Sequence, residues 1–136
     1  MFNSREIVAF EIEEAVEVIR ERARDPVFAV VEYDADDFNV LYASDLTVAN
    51  YEDEAAMLDH FQRIHDYVNV DFAEIDLFVN SLFPAAERVD YLTTRMDHLK
   101  LVRVYDGRQG VLLGVAPDEP VEPLVEPLFD AMGVAQ

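Results

Sequence analysis

Three aspartates close together are the first candidate for chemistry, because carboxylate oxygens are the ligands that hard cations prefer. Asp34, Asp36 and Asp37 lie between two apolar runs. A calcium loop of the EF-hand type would also need glycine at its sixth position and glutamate at its twelfth, where this chain has Asn39 and Asp45. The segment therefore predicts a solvated turn, in which aspartate is common, rather than a metal site.

The three histidines are the second candidate, since imidazole is a frequent zinc ligand. His60 and His65 are five residues apart, so on a helix they point about 140° away from each other and cannot form an i, i+4 zinc pair. His98 lies in a predicted turn far along the chain. The sequence therefore predicts no metal site, because three histidines would have to be brought together by the fold alone.

Nucleophilic and acid-base chemistry has no support in the residue pattern. Ser4, Ser44 and Ser81 lack the context of a nucleophile elbow, the four glycines form no phosphate-binding loop, and there is no cysteine. Pairs of carboxylates occur by chance almost anywhere in a chain with 29 aspartates and glutamates. We therefore predict a non-enzymatic protein with no catalytic residue, no cofactor-binding residue and no cofactor.

The charge of the chain argues against nucleic acid as a partner. The formal net charge is −19, and the one basic cluster, Arg20, Arg22 and Arg24, is interleaved with Glu21 and Asp25. Cations at the end of a helix also interact favourably with the helix dipole. We expect these arginines to serve the helix end, because phosphate binding would need a surface of the opposite overall charge.

The basic residues consist of nine arginines and a single lysine, Lys100. Self-repulsion in a chain this acidic is relieved where concentrated salt shortens the screening distance to about 3 Å. Carboxylates also hold water and ions at the surface, whereas long lysine stems add apolar area that salt drives together. The composition is thus typical of a halophilic protein.

We predict that salt stabilises this protein. Its melting temperature should rise as KCl increases from dilute to molar, first through screening and then through exclusion of the solute from the surface. Thermal denaturation followed by circular dichroism at several KCl concentrations measures this dependence. A flat or falling series would contradict the halophilic interpretation.

Length and composition predict one folded domain over residues 1–136. Hydrophobic residues make up 51% of the chain, so its acidity does not indicate disorder. The N-terminal residues lack the basic segment and apolar stretch of a signal peptide, and no run approaches the roughly 20 apolar residues of a membrane span. We expect a soluble, cytoplasmic protein without membrane partners.

Hydrophobic periodicity predicts the order helix, two strands, a long helical segment, three strands and a final helix. The first helix covers 3–24, with Asn3 or Ser4 as its cap and Glu6 in its first turn. A break near Asn69 is expected to divide the helical segment 51–83, and Gly133 is expected to cap the last helix. The predicted strands are 27–33, 38–43, 88–95, 99–105 and 111–115, and the predicted final helix is 126–132.

Periodicity and strand phase also predict the core. Its expected members are Val8, Ile12, Ile19, Phe28, Val30, Leu41, Leu58, Phe61, Phe72, Leu101, Leu112 and Phe129.

This order of elements resembles the roadblock/LC7-like fold, which is close to longin and profilin-like domains. The resemblance rests on the run Val27–Tyr33 followed by Phe38–Ser44, and on a hairpin that joins the strands 99–105 and 111–115. It implies an α+β sandwich in which a five-stranded antiparallel sheet of order 2-1-5-4-3 has helices packed on it. With this composition, the chain also resembles small proteins of halophilic archaea.

The resemblance implies a function in association, since roadblock-like domains generally dimerise and act as platforms for small GTPases or regulatory complexes. We therefore expect a homodimer or a module that binds another protein, with the first helix or a sheet edge as the contact surface. The alternative is a small-ligand sensory domain resembling PAS. In that case aromatic residues would line a pocket, and the candidates are Phe61, Phe72, Phe78, Phe83 and Tyr91.

Overall fold

The computed structural model of the chain describes residues 7, 8 and 10–133. Its helices are α1 (Glu13–Arg22), α2 (Asp45–Ala49), α3 (Glu54–Val68), α4 (Asp71–Leu77) with a following π-helical turn (Phe78–Leu82), and α5 (Glu122–Met132). Its strands are β1 (Ala29–Tyr33), β2 (Phe38–Ala43), β3 (Tyr91–Arg95), β4 (Lys100–Asp106) and β5 (Gln109–Val115).

The strands of the described residues form one antiparallel sheet in the order β2-β1-β5-β4-β3. This confirms the predicted α+β fold and strand order. Every residue of β1 is buried, as the apolar run in the sequence predicts for an interior strand. A two-residue turn joins β4 to β5, and Gly107 occupies its first position with φ of 62°, a conformation that favours glycine.

Helices cover both faces of the sheet, so the domain has three layers. On one face α1 and α5 pack together over Val30, Val102 and Leu113. On the other face α3 and α4 cover Val31 and Leu112. No helix in residues 7, 8 and 10–133 combines the length and the apolar character needed to cross a bilayer.

The predicted core is confirmed for two thirds of its members. Phe28, Leu41, Leu58 and Leu101 are only half-buried. Phe28 and Leu101 line an open cavity, and Leu41 lies on the edge strand β2. The buried members are Val8, Ile12, Ile19, Val30, Phe61, Phe72, Leu112 and Phe129.

The first helix begins later than the sequence predicts. Residues 7, 8 and 10–12 precede α1 in a non-helical segment, and the expected caps Asn3 and Ser4, with Glu6, lie outside the described residues. The backbone N–H groups of Ile7 and Val8 each donate to Oε1 of buried Glu32 at 2.8 Å. The spacing of apolar residues could not predict these hydrogen bonds, because Val8 and Ile12 are expected to be buried in a helix and are also buried in this non-helical segment.

The break in the helical segment is confirmed, because Asn69 and Val70 separate α3 from α4. The sequence did not predict the short helix α2. Ser44 caps it by accepting a hydrogen bond from the Thr47 N–H at 3.1 Å, which gives this serine a structural role.

Strand β3 is shorter than predicted, since it starts at Tyr91 and not at residue 88. It is an edge strand that pairs with β4 alone, from Tyr91 opposite Val104 to Arg95 opposite Lys100. Residues 88–90 precede this pairing, although the Tyr105 N–H still donates to the Asp90 carbonyl at 3.0 Å.

Helix α5 begins at Glu122 rather than at residue 126, despite its prolines. Pro123 lies in the first turn, where the missing N–H has no cost. Pro127 deprives the Pro123 carbonyl of its helical donor, and the Arg22 guanidinium donates to that oxygen instead, at 3.1 Å. Gly133 ends the helix with φ of 76°, as predicted.

Candidate functional site

A cavity of about 410 Å³ lies between the α3 side of the sheet and the helices that cover it. Its wall includes residues of β1, β5 and α3 and of the loops beside them. Although the chain has 29 carboxylates, no aspartate, glutamate, lysine or arginine is among the described residues that line the cavity. The main apolar contributors are Phe28, Val31, Phe38, Leu46, Phe61, Ile64, Val68, Leu99, Leu101 and Leu112.

All three histidines line this cavity, a convergence that their spacing did not predict. Each nevertheless has its own partner: His60 Nδ1 is 2.7 Å from the Tyr51 hydroxyl, and His98 Nδ1 is 2.7 Å from Asp97 Oδ1. His65 Nε2 is 2.7 Å from the carbonyl oxygen of Asp34. Within the part of the chain that the structure describes, no three metal-ligating side chains come together.

His65 is the buried histidine of the three, with 4% of its surface exposed. Because a carbonyl oxygen can only accept, Nε2 must carry a proton and donate to Asp34. In the neutral ring Nδ1 is then an acceptor, and it has no hydrogen-bond partner among the described residues. The rings of Tyr33 and Phe38 fix the imidazole in place, with centroids 6.2 and 5.7 Å away.

A buried polar network lies beside the cavity and is centred on Asp71, in the first turn of α4. Its carboxylate accepts hydrogen bonds from Tyr33 Oη at 3.2 Å and Tyr105 Oη at 2.7 Å, and from Arg103 Nη1 at 2.8 Å. The network ties α4 to β1 and β4 across the core. Tyr33 also lines the cavity, so it connects the two features.

Burial raises the pKa of both tyrosines in this network. The neighbouring Asp71 charge raises the pKa of Tyr33 further. The pKa of Tyr105 is also raised by the nearby Tyr33 and by the hydrogen bond to Asp71. Tyr33 itself is held against β5, because a Cβ on Gly110 would lie 2.8 Å from its ring. The tyrosines therefore act as neutral hydrogen-bond donors to a fixed carboxylate.

Two further carboxylates that are buried in the described part of the chain also have structural roles. Glu32 binds the N-terminal segment and accepts from Asn39 Nδ2 at 2.7 Å. Glu119 accepts from the backbone N–H groups of Arg24 and Asp25 after α1. Sequence reasoning missed Glu32, Asp71 and Glu119, because nothing local distinguishes them from the other 26 acids of the chain.

The aspartate cluster of the first hairpin is a turn, as predicted. Asp34 Oδ1 accepts from the backbone N–H groups of Asp36 at 2.9 Å and Asp37 at 2.8 Å. This oxygen is therefore used within the loop itself.

The arginine cluster has structural contacts. The guanidinium of Arg20 lies 4.1 Å from the centre of the Tyr42 ring, and Arg22 pairs with Glu126 at 3.0 Å. These contacts attach α1 to β2 and α5.

Of the five aromatic residues proposed for a ligand pocket, only Phe61 lines the cavity. Phe72 is buried beside Tyr105, and Tyr91 packs against Phe129 on the opposite face of the sheet. Phe78 and Phe83 stack on each other at the π-helical turn. Periodicity could not separate these places, because it identifies apolar faces without showing where the layers leave space.

Exposed apolar side chains are concentrated between residues 67 and 83, which we call the 67–83 surface. In the described part of the chain, five of the six large apolar side chains that are exposed belong to it, and the sixth is Leu46. The outer face of α1, by contrast, presents exposed glutamates. The members of the 67–83 surface are Tyr67, Val70, Leu77, Leu82 and Phe83.

Comparison with known proteins identifies the fold. No protein-family model and no curated protein matches the sequence. A Roadblock/LC7 domain from Streptomyces avermitilis is similar in structure, with a TM-score of 0.61 and 9% identity over 90% of this chain and 92% of that one. MglC from Myxococcus xanthus is similar with a TM-score of 0.51 and 10% identity over 90% and 93%. The chain therefore has a roadblock/LC7-like fold.

Proposed function

We propose that this chain is a non-enzymatic interaction module with a regulatory role in a halophilic archaeon, and that it forms a homodimer. The observation that carries the proposal is the 67–83 surface, exposed on a domain whose fold is that of a Roadblock/LC7 domain. The resemblance makes a small GTPase or a regulatory complex the second class of partner.

Three properties of the 67–83 surface favour protein contact. Its apolar side chains are close together in sequence on an otherwise acidic chain, and exposed apolar area of this kind marks interaction sites. It contains aromatic residues, which are enriched at interfaces. It also includes the π-helical turn at 78–82, a distortion that is frequent at functional sites.

The buried polar groups support a structural rather than a catalytic interior. Glu32 and Glu119 bind backbone N–H groups, and Asp71 binds two tyrosines and Arg103. A general acid or base would need a free position for a reacting group. These carboxylates instead hold separate parts of the chain together.

Salt would permit two strongly acidic copies to approach. At molar concentration the repulsion between exposed charges is screened within about 3 Å, while salts excluded from the protein surface strengthen apolar burial. Dimerisation through the 67–83 surface should therefore be favoured by KCl.

Substitution of Leu82 and Phe83 by serine should convert the dimer to a monomer. Both side chains are exposed, so their loss should cost the folded domain no more than about 1–2 kcal/mol, mainly through the stack of Phe83 on Phe78, while removing apolar contact area. Multi-angle light scattering in molar KCl at several micromolar concentrations measures the mass directly.

Leu46→Ser is the matched control, because Leu46 is also apolar and is even more exposed, but lies on α2 outside the 67–83 surface. It should leave the dimer intact. A wild-type protein that stays monomeric at all concentrations would contradict the homodimer. A dimer that survives the double substitution would contradict the location of the contact.

A further inference from the structure

We infer that the cavity beneath α3 is a binding site for an uncharged, predominantly apolar small molecule, which lies against Gly114 of β5. The site is separate from the proposed protein contact, because no member of the 67–83 surface lines the cavity. The inference rests on the size and lining of the cavity and on a glycine that the fold itself does not require.

The cavity is too large to be a packing defect. Folded interiors leave few voids larger than one water molecule, whereas a space of about 410 Å³ has room for roughly a dozen waters at about 30 Å³ each. Water inside it would find few hydrogen-bond partners, because apolar side chains dominate the wall. An apolar molecule that displaces this water therefore gains the free energy of burying both surfaces.

Gly114 leaves part of the cavity wall without a side chain, and its position in β5 does not call for glycine. It pairs with Ala29 of β1 and Leu101 of β4 in regular register. Its φ is not positive. A Cβ at this position would lie 3.7 Å from Leu99 Cδ1 and from Phe28 Cβ, which is ordinary contact. Glycine inside a strand is destabilising relative to alanine, and it often marks a place where a ligand approaches the backbone.

The other three glycines of the chain each have a structural reason. Gly107 and Gly133 have positive φ, and a Cβ on Gly110 would lie 2.8 Å from the Tyr33 ring. Gly114 has neither reason, but it lines the cavity. We therefore attribute this glycine to the space that the ligand occupies.

The lining determines the chemical class of the ligand. No aspartate, glutamate, lysine or arginine is among the described lining residues, so a charge taken into the cavity would have no counter-ion there. The lining residues that are exposed, and that thus mark the mouth, are Leu46, Asn50, His60 and His98. A polar group of the ligand can stay hydrated only at this end. The interior therefore selects an apolar body without a formal charge.

Two fluorescent probes that differ in one charged group test this selection. N-phenyl-1-naphthylamine is neutral, and 8-anilino-1-naphthalenesulfonate has the same rings with an added sulfonate. Titration of the protein into a submicromolar concentration of each probe, in molar KCl, should give the neutral probe a Kd on the order of 10 µM. The sulfonate should bind at least about tenfold more weakly, because its charge has no partner inside the cavity.

Gly114→Val should fill the space beside β5 and weaken binding of the neutral probe at least about tenfold. Leu82→Ser/Phe83→Ser is the control, because it removes exposed apolar side chains that do not line the cavity. It should leave the affinity for the neutral probe unchanged. Together the two variants show which apolar region of the protein binds the probe.

Gly114→Ala tests whether the fold requires this glycine. The variant should have a higher melting temperature than the wild type, because alanine is favoured over glycine within a strand and its Cβ has room.

Leu46→Ser tests the mouth and keeps the inference testable if Gly114→Val does not fold. Leu46 is 71% exposed, so this variant should fold. It should weaken binding of the neutral probe about threefold, because apolar area at the mouth is lost.

Four results with the probes would each overturn the inference. The wild type could show no saturable binding of the neutral probe, or could bind the sulfonate equally well. Affinity for the neutral probe could be unchanged in a folded Gly114→Val or in Leu46→Ser, or it could be lost in Leu82→Ser/Phe83→Ser. A lower melting temperature of Gly114→Ala would also overturn the inference, since the fold would then require the glycine. Light scattering of the same samples reports the homodimer, so the ligand site and the homodimer can fail separately.

Discussion

Replacement of Asp71 by alanine should destabilise the domain by about 3–5 kcal/mol, because it leaves a buried guanidinium without its counter-ion. Arg103 is only 17% exposed, and within the described part of the chain its guanidinium would keep a 3.3 Å hydrogen bond to Thr94 Oγ1. The hydroxyls of Tyr33 and Tyr105 would lose their acceptor at the same time. Urea denaturation in molar KCl measures the loss, since this pair is buried and salt screens it little.

Asp76→Ala provides a matched control on the same helix. Asp76 also pairs with an arginine at 2.8 Å, but the side chains of Asp76 and Arg108 are 49% and 71% exposed. Exposed ion pairs contribute little, so this substitution should cost less than about 1 kcal/mol. The difference in stability loss between Asp71→Ala and Asp76→Ala reports the effect of burial, because the residue type, the helix and the ion-pair distance are the same in both cases.

A second substitution separates the charge from the packing. In the double variant Asp71→Ala/Arg103→Met neither charge of this pair is left behind unpaired, so part of the lost stability should return. Equal losses for Asp71→Ala and Asp76→Ala would contradict the role assigned to the Asp71 network.

The architecture was predictable because it depends on local pattern. The apolar run of β1 and the Asp106-Gly107 turn are properties of consecutive residues, and each was found where the pattern placed it. The break at Asn69 is a local signal of the same kind. The predicted starts of α1 and α5 were wrong for a different reason, because they depend on contacts between residues that are remote in sequence. Glu32 binds the segment before α1, and Arg22 binds the Pro123 carbonyl in α5.

The candidate site was not predictable, because it depends on where the layers leave space. The spacing of His60, His65 and His98 predicts no metal set and gives no sign that the three residues line one cavity. His65 is the buried one of the three, and its Nε2 is the nitrogen that pairs with the Asp34 carbonyl. Both facts depend on how the hairpin and α3 pack together. Asp71 was likewise one acid among 29 until the fold placed two tyrosines and an arginine around it.

Alkaline pH should destabilise the folded protein steeply through Tyr33 and Tyr105. Burial raises the pKa of both hydroxyls, so they stay protonated in the folded state while the unfolded chain ionises near the ordinary tyrosine pKa of about 10. Above that pH the unfolded state binds fewer protons, and the free energy of unfolding must fall as pH rises. Below it the stabilisation is fully present.

The expected loss is about 1.4 kcal/mol per pH unit for each tyrosine, or nearly 3 kcal/mol for the pair by about pH 11. Urea denaturation from about pH 8 to about pH 11 measures it, with tyrosinate absorbance as an independent readout of ionisation. Tyr33→Phe/Tyr105→Phe should start less stable, because Asp71 loses two donors, but should decline less with pH. A smaller slope should remain, since burial also raises the pKa of Tyr51 and Tyr91. The same slope in both proteins would show that the two hydroxyls ionise equally in the folded and unfolded states, which contradicts their burial against Asp71.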